Sequence, residues 1–399
     1  MAVKKIMTQT QTVELAGNGS NWLLGKGSFV KVSDGDAIYN PFADNISLVI
    51  AGSVITTATG TVSGFESLGH GTDLRIAETG VVRGYFGLTL HGDQADVVNT
   101  GRIVGTAPTG IGIVGGCDGF SIQNSGLIRG AQGIDLNGYG RVVNEKGGVI
   151  DGQMALRING AADCEVINRG TLAGDDWSFI GGADDDLLVN RGRMTGGVDM
   201  GAGNDRIDLR GGKALDGVSG GEGNDVFFVD QTRVGVAEFA GEGYDMIWTT
   251  ATFVLPDSEY AEFEFLGARG KADIALTGND YDNTLGGNSG NNRLRGQGGE
   301  DTFYSGAGND RLTGGGGVDT FVFRKGDDHD TITDFVGDGA EQDIVDLHFL
   351  KDFKTFGEVI DVASNTAAGV VLDLGKGDSL TIAGMTRDDL EAKHFEFAV

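Results

Sequence analysis

Oxygen donors for a hard cation recur every nine residues between positions 283 and 321. Asn283-Thr284-Leu285, Asn292-Arg293-Leu294, Asp301-Thr302-Phe303, Asp310-Arg311-Leu312 and Asp319-Thr320-Phe321 each set a carboxylate or carboxamide two residues before a large apolar side chain. Between them run glycine-rich turns. Gly299, Gly306, Gly308, Gly315 and Gly317 stand where left-handed backbone would aim carbonyl oxygens at a shared centre. If two repeats make one coil, turns eighteen residues apart stack, so Asp301 is predicted beside Asn283 and Asp319, and Asp310 beside Asn292 and Asp328. Carboxylates from two stacked turns plus glycine carbonyls give about six oxygen ligands, which suits Ca²⁺ at ~2.3–2.6 Å. Mg²⁺ wants a stricter octahedron, and zinc wants Cys or His, which this stretch lacks. Several calcium ions are expected, with Asp330 in the same candidate set.

The elements that would position these groups follow from the period. It fits the nonapeptide G-G-x-G-x-D-x-U-x, the signature of a calcium-binding parallel β-roll. A single repeat cannot bury its apolar residue, whereas stacked repeats can. Leu285, Leu294, Phe303, Leu312 and Phe321 are therefore expected to point inward. Similar turns stand upstream at about twenty-residue steps: Gly181-Gly-Ala-Asp-Asp-Asp186, Gly201-Ala-Gly-Asn-Asp205, Gly221-Glu-Gly-Asn-Asp225 and Gly241-Glu-Gly-Tyr-Asp245. They add Asp186, Asp205, Asp225 and Asp245 to the candidate ligands.

A longer repeat occupies the first half. Asn99, Asn124, Asn144, Asn168 and Asn190 each close a run of Val/Ile alternating with polar residues, and Gly follows. Their spacings of 25, 20, 24 and 22 residues are those of a parallel β-helix coil. Alternation gives strands with one face inward. Asn and Gly both tolerate the left-handed turn, and stacked asparagines can form a ladder. Residues 1–40 are less regular and are expected to cap the open end.

With these motifs the chain resembles the RTX, or haemolysin-type, calcium-binding repeat family. Thr252-Phe-Val-Leu-Pro-Asp-Ser-Glu-Tyr, Phe263-Glu-Phe-Leu-Gly and Leu276-Thr-Gly-Asn-Asp resemble the lead-in to such repeats. Gly326-Asp-Asp-His-Asp-Thr-Ile-Thr-Asp-Phe335 looks like the start of a serralysin-type C-terminal region. Gly377-Asp-Ser-Leu-Thr-Ile-Ala-Gly-Met385 through Phe395-Glu-Phe-Ala-Val399 is similar to the uncleaved export region of type I secretion substrates. The resemblance implies a secreted protein, with the type I secretion machinery as a partner. Two departures, Asn at 283 and 292 and Glu300 in place of a small turn residue, predict weaker sites at the edge.

The reading is an all-β chain, a right-handed parallel β-helix continuing into a calcium-binding parallel β-roll, with a small C-terminal β-rich cap. Its expected domains are residues 1–180, 181–335 and 336–399. In the last, short helices are expected at 349–357 and 386–394, and a hairpin from Val370-Val-Leu-Asp-Leu and Ser379-Leu-Thr-Ile.

A net charge of −28 argues against nucleic acid and anionic lipid as partners. Met1-Ala-Val-Lys-Lys-Ile-Met is not followed by the apolar run of a Sec signal, and no run approaches a membrane span. Cys117 and Cys164 fit no zinc spacing and are expected on different coils. Neither H-E-x-x-H nor G-x-S-x-G occurs, so the protease and lipase heads of the resembled family are missing. The expectation is a structural, matrix, surface-layer or adhesive protein, with cell-surface polysaccharide or self-association as partners. The competing reading is a polysaccharide lyase or uronan epimerase, with His91, Asp93, Asp135, Tyr139, Arg141, Asp151 and Arg157 as candidates. A carbohydrate-binding module would use Trp22, Trp177 or Trp248 as stacking platforms.

Overall fold

The computed structural model describes residues 3–58, 60–106, 108–160, 162–232, 234–257 and 262–398. The chain forms two units, Met1–Asp225 and Val226–Val399, and both are parallel β-solenoids.

In the first unit most coils have three strands. One coil is Asp96–Asn99, Arg102–Gly105 and Ile111–Gly116, and the next is Phe120–Asn124, Leu127–Arg129 and Gln132–Asn137. Successive coils pair in parallel, with register shifts along the three inward rows only at Gly152/Met154 and Trp177/Phe179, so like residues stack. Val97, Ile122, Val142, Val166 and Leu188 form one inward row, and Ile103, Ile128, Ile150, Leu172 and Met194 a second. Ile113, Ile134, Leu156, Phe179 and Val198 form the third. These side chains are buried, and each contributes on the order of 1.5–3 kcal/mol relative to exposure. Strands Val149–Ile158 and Thr171–Ile180 run unbroken through the bend between two faces, where only small inward residues fit. A Cβ on Gly133 would lie 2.4 Å from the Ala155 carbonyl oxygen.

Residues 3–40 take part in the stacking. Val3–Ile6 pairs in parallel with Asn21–Leu24, which pairs with Ser47–Ile50. Toward the end of this unit the strands shorten to Arg193–Met194, Gly197–Asp199 and Arg206–Asp208, and glycine turns take a larger share of each coil.

The second unit has two strands per coil over the nonapeptide region. Phe265–Ala268, Thr284–Gly286, Thr302–Tyr304, Thr320–Val322 and Ile344–Asp346 stack in one sheet. Ala275–Thr277, Arg293–Gln297, Arg311–Gly315 and His329–Ile332 stack in the other. Leu285, Leu294, Phe303, Leu312 and Phe321 point inward and are at most 1% exposed. The Phe303 and Phe321 rings stack with centroids 4.9 Å apart.

The C-terminal segment closes both sheets. Gly369–Gly375 and Asp378–Ala383 form the expected antiparallel hairpin, and its second strand adds in parallel to His329–Ile332. Phe395–Glu396 adds to Ile344–Asp346. The expected helices are displaced. The α-helix is Phe356–Val362, started by a capping box between Thr355 and Glu358, and residues 386–394 make two 3₁₀ turns, Arg387–Asp389 and Ala392–His394. Each of those two turns ends in extended backbone, at Leu390 and Phe395, so no helix propagates. Among the described residues no helix is long and apolar enough to cross a membrane.

Candidate metal centre

The repeat residues form two inner ladders along the edges of the second unit. In the first, the Asn283 amide donates to Asp301 Oδ1 at 2.8 Å, the Asp301 amide to Asp319 Oδ1 at 3.1 Å, and the Asp319 amide to Asp343 Oδ1 at 3.1 Å. In the second, the Asn292 amide donates to Asp310 Oδ1 at 2.6 Å and the Asp310 amide to Asp330 Oδ1 at 2.9 Å. All these side chains are at most 2% exposed. Each carboxylate spends one oxygen closing the adjoining turn. The other oxygens, Oδ2 of Asp301, Asp310 and Asp319, are buried without a hydrogen-bond partner.

Asp301 and Asp319 take the neighbours the spacing predicts. Asp310 does not pair with Asp328: two extra residues in the intervening turn put Asp330 in that place, twenty residues on. Asp328 sits in the turn itself at φ 63° and accepts the Gly308 amide at 3.1 Å. Asp343 was missed. Its Asp-Ile-Val matches the repeat triplet, but it follows Asp319 by 24 residues rather than eighteen.

Turn carbonyls crowd these oxygens. A Cβ added to Gly296 would fall 1.8 Å from Asp301 Oδ2 and 2.7 Å from the Gly314 carbonyl oxygen. Gly299, Gly306, Gly308, Gly315 and Gly317 all have positive φ, from 84° to 119°. At Gly315 and Gly317 that conformation brings the backbone onto the preceding turn. A Cβ there would meet the Gln297 and Gly299 carbonyl oxygens at 2.0 Å. An exposed ladder flanks each inner one: Asp282 Oδ1 accepts the Glu300 amide at 2.6 Å beside the first, and beside the second Asp273 Oδ1 accepts the Asn291 amide at 2.7 Å and Asn291 Oδ1 the Asn309 amide at 2.8 Å.

Electrostatics favour a cation here. Burial, reinforced by neighbouring carboxylates and opposed by the amide hydrogen bonds, pushes Asp301 and Asp330 up to about 8 and Asp310 and Asp319 up to about 7. Burial also raises Asp343 to about 6. A buried carboxylate either keeps a proton or finds a positive partner. The ladder atoms available are carboxylate, carboxamide and carbonyl oxygens, so the partner they fit is a hard, oxygen-seeking ion such as Ca²⁺.

The same pattern runs through the turns at Asp186 and Asp205 in the first unit. The Asp186 amide donates to Asp205 Oδ1 and the Asp205 amide to Asp225 Oδ1, both at 2.6 Å. Burial raises Asp205 to about 8, and its Oδ2 lacks a partner. In the second unit the Asp245 amide donates to Glu264 Oε2 at 2.6 Å, so a glutamate stands where the spacing suggests an aspartate.

The nonapeptide segment also matches a family model, that of the RTX calcium-binding nonapeptide repeat, over residues 277–312 and 298–330. The chain carries RTX calcium-binding repeats. No curated protein sequence matches it. Among solved structures, the extracellular lipase LipA from Serratia marcescens is similar over 60% of this chain and 39% of its own length, at 18% identity and a TM-score of 0.29. The RTX repeats make this a calcium-binding repeat protein.

The candidate catalytic residues other than Tyr139 are spread over separate acid–base pairs along the first unit. Arg157 makes two hydrogen bonds to Asp135 at 2.7 and 2.6 Å, Arg141 pairs with Glu165, and Arg129 with Asp151. His91 lies 3.6 Å from Glu66, and Asp93 lies 3.5 Å from His70. Tyr139 is 43% exposed. Trp22 lies under Lys4 and Trp248 packs on Phe265, while Trp177 is 38% exposed. Burial pushes the Cys117 thiol up to about 12 and the Cys164 thiol up to about 11, far from the range of reactive thiolates.

Proposed function

We propose that the chain is a secreted protein whose RTX roll folds on extracellular Ca²⁺ and which acts as a structural, matrix, surface-layer or adhesive component. The observation that carries this is the set of buried carboxylate oxygens, on Asp301, Asp310 and Asp319, that no protein donor meets. In this reading Asn283, Asn292, Asp301, Asp310, Asp319, Asp330 and the turn glycines hold the ions, with Asp186, Asp205, Asp225 and Asp245 as further ligands. Asp343 belongs with them by its place in the ladder. Residues 1–180 supply a self-sufficient scaffold, 181–335 the calcium-dependent part and 336–399 the cap and export region. Sites of this kind are filled at extracellular millimolar calcium and stay largely empty at cytosolic levels. Calcium outside the cell then traps the folded state by mass action.

Far-UV circular dichroism and thermal melting in chelator and in millimolar Ca²⁺ test the folding claim. Loss of β-signal and a lower melting temperature in chelator are expected, and identical melts would defeat it. Fusing residues 340–399 to a passenger in a type I-competent host tests the export claim. Secretion of the fusion, with retention of a chain cut at 340, is expected. The reverse pattern would refute it.

A further inference from the structure

One outward sheet face of the second unit runs against the charge of the whole chain. Across its strands, Ala275, Arg293, Arg311 and Thr331 are neighbours in one row, extended by Thr381. Val254, Thr277, Arg295 and Thr313 form the next, where Thr313 shares a 2.8 Å hydroxyl hydrogen bond with Thr333. Neither row holds a carboxylate, although the chain has 58 acidic residues against 30 basic ones.

The three arginines are exposed, and among the described residues none of their guanidiniums makes an ion pair or a side-chain hydrogen bond. Arg293 and Arg311 stand directly opposite each other on adjacent strands, an arrangement in which like charges destabilise a sheet. By contrast, Arg129, Arg141 and Arg157 in the first unit each reach a carboxylate on an adjacent coil. The nearby Asp273 has its Oδ1 occupied by the Asn291 amide. Arg293, Arg295 and Arg311 line an open groove of about 760 Å³ with Thr277, Thr313 and Thr333.

We propose that this groove binds an acidic polysaccharide. Adjacent strands set the Arg293 and Arg311 backbones ~4.8 Å apart, and Arg293 and Arg295 lie ~6.6 Å apart along one strand. Each guanidinium presents a rigid fork that fits a carboxylate or sulfate bidentately. An extended polymer with anions at repeating intervals can engage all three at once, while the threonine hydroxyls meet sugar hydroxyls. An open groove suits such a chain better than a small free anion. The apolar content of the face is too slight for a lipid surface, with Val254 its one large exposed hydrophobic residue among the described positions. The long-range field of a −28 chain repels polyanions, so binding strengthens when calcium neutralises the neighbouring turns. The assignment rests on the reading of the chain as a calcium-folded surface component and gives that component a ligand.

The test uses the full chain at fixed free Ca²⁺. Isothermal titration with a soluble oligouronate, a sulfated dextran, neutral dextran and polyphosphate compares wild type with R293Q/R311Q and R293K/R311K. The expected result is binding of an acidic glycan that weakens at least tenfold in R293Q/R311Q, less in R293K/R311K, and falls with added salt. Neutral dextran should not bind. Unchanged affinity in R293Q/R311Q, equal binding of neutral dextran, or binding of polyphosphate alone would overturn the proposal. The calcium-induced dichroism change of the same samples separates the two claims. If wild type shows that change but binds no acidic glycan, only the groove assignment fails. If the change is missing, the calcium-folding reading itself fails.

Discussion

Asn144 in the first unit and Asp301 in the second both sit on ladders that tie one coil to the next, but only one of the two is chemically complete. Asn144 donates through Nδ2 to Asn168 Oδ1 and accepts at Oδ1 from Asn124 Nδ2, both at 2.9 Å. From Asn99 to Asn190 every rung repeats this with neutral groups, and each Nδ2 also finds a strand carbonyl. Asp301 in its ionised form has no proton to donate, so its second oxygen is stranded in the interior unless a proton or a cation reaches it. A carboxamide ladder is closed by the polypeptide alone, whereas a carboxylate ladder needs something from the medium. On the proposed reading, two kinds of parallel coil thus give a permanent scaffold in one region and a conditional one in the other.

The largest effect should come from removing calcium. Hydrogen exchange in chelator is expected to lose protection at the amides of Asn283, Asn292, Asp301, Asp310 and Asp319, while the strands around Asn99 to Asn190 stay protected. Equal loss in both regions would erase the distinction.

Acidity should produce the next largest effect, with opposite signs with and without calcium. The folded ladder carboxylates titrate at about 6 to 8, above ~3.9 for an unfolded chain. Without calcium the folded state therefore holds the extra protons. The stabilisation is fully present below pH ~4 and fades toward pH 8, by up to about 1.4 kcal/mol per pH unit for each carboxylate still protonated. With calcium the trend reverses, because the ion competes with those protons. Denaturant melts at pH 5 and pH 8, with and without chelator, read this directly. A pH-independent apo roll would mean that the ladder is not buried.

Asp310→Ala should weaken calcium binding by about tenfold, and Asn283→Ala by less. Asp310 brings charge and has rungs on both sides, whereas Asn283 is neutral and begins its run of ladder residues. Calorimetric titration giving equal losses would break this ranking. The smallest dependence on calcium is expected from Asn144→Ala. It leaves Asn168 Oδ1 without its donor and should cost about 1–3 kcal/mol, to the same extent with and without calcium. A calcium-sensitive penalty there would blur the line between the two ladders.

These ladders were legible in the sequence to the degree that their periods were regular. Nine-residue spacing fixed the inward row from Leu285 to Phe321 and the partners of Asp301. The looser recurrence of Asn99, Asn124, Asn144, Asn168 and Asn190 still fixed their register, because each asparagine closes a strand of the same alternation. Legibility failed where turns gain residues: Asp330 displaced Asp328, and Asp343 went unseen, since insertion in a glycine-rich turn moves the next rung without changing its chemistry. The helix of the cap fell at Phe356–Val362 rather than over 349–357 because a short apolar run does not fix where helical backbone begins, and here the Thr355–Glu358 capping box does. Pairing of Phe395–Glu396 with Ile344–Asp346 joins segments about fifty residues apart, beyond any local signal.

The inner ladders of the roll also have a polarity. In every link the backbone amide belongs to the earlier coil and the accepting carboxylate to the later one: Asn283 to Asp301 to Asp319 to Asp343, and Asn292 to Asp310 to Asp330. The last acceptors are anchored separately, Asp343 by the Val336 amide and Asp330 by the Ser305 hydroxyl. Trimming coils from the N-terminal side therefore leaves every remaining ladder amide with its carboxylate, although the strand amide after each rung, such as Thr302 on the Asn283 carbonyl, loses its acceptor. Trimming from the C-terminal side orphans one amide per ladder at each step. Fraying from the front thus spares the amide-to-carboxylate ladders, whereas fraying from the rear breaks them link by link. A chain delivered rear end first can settle each coil onto one already complete.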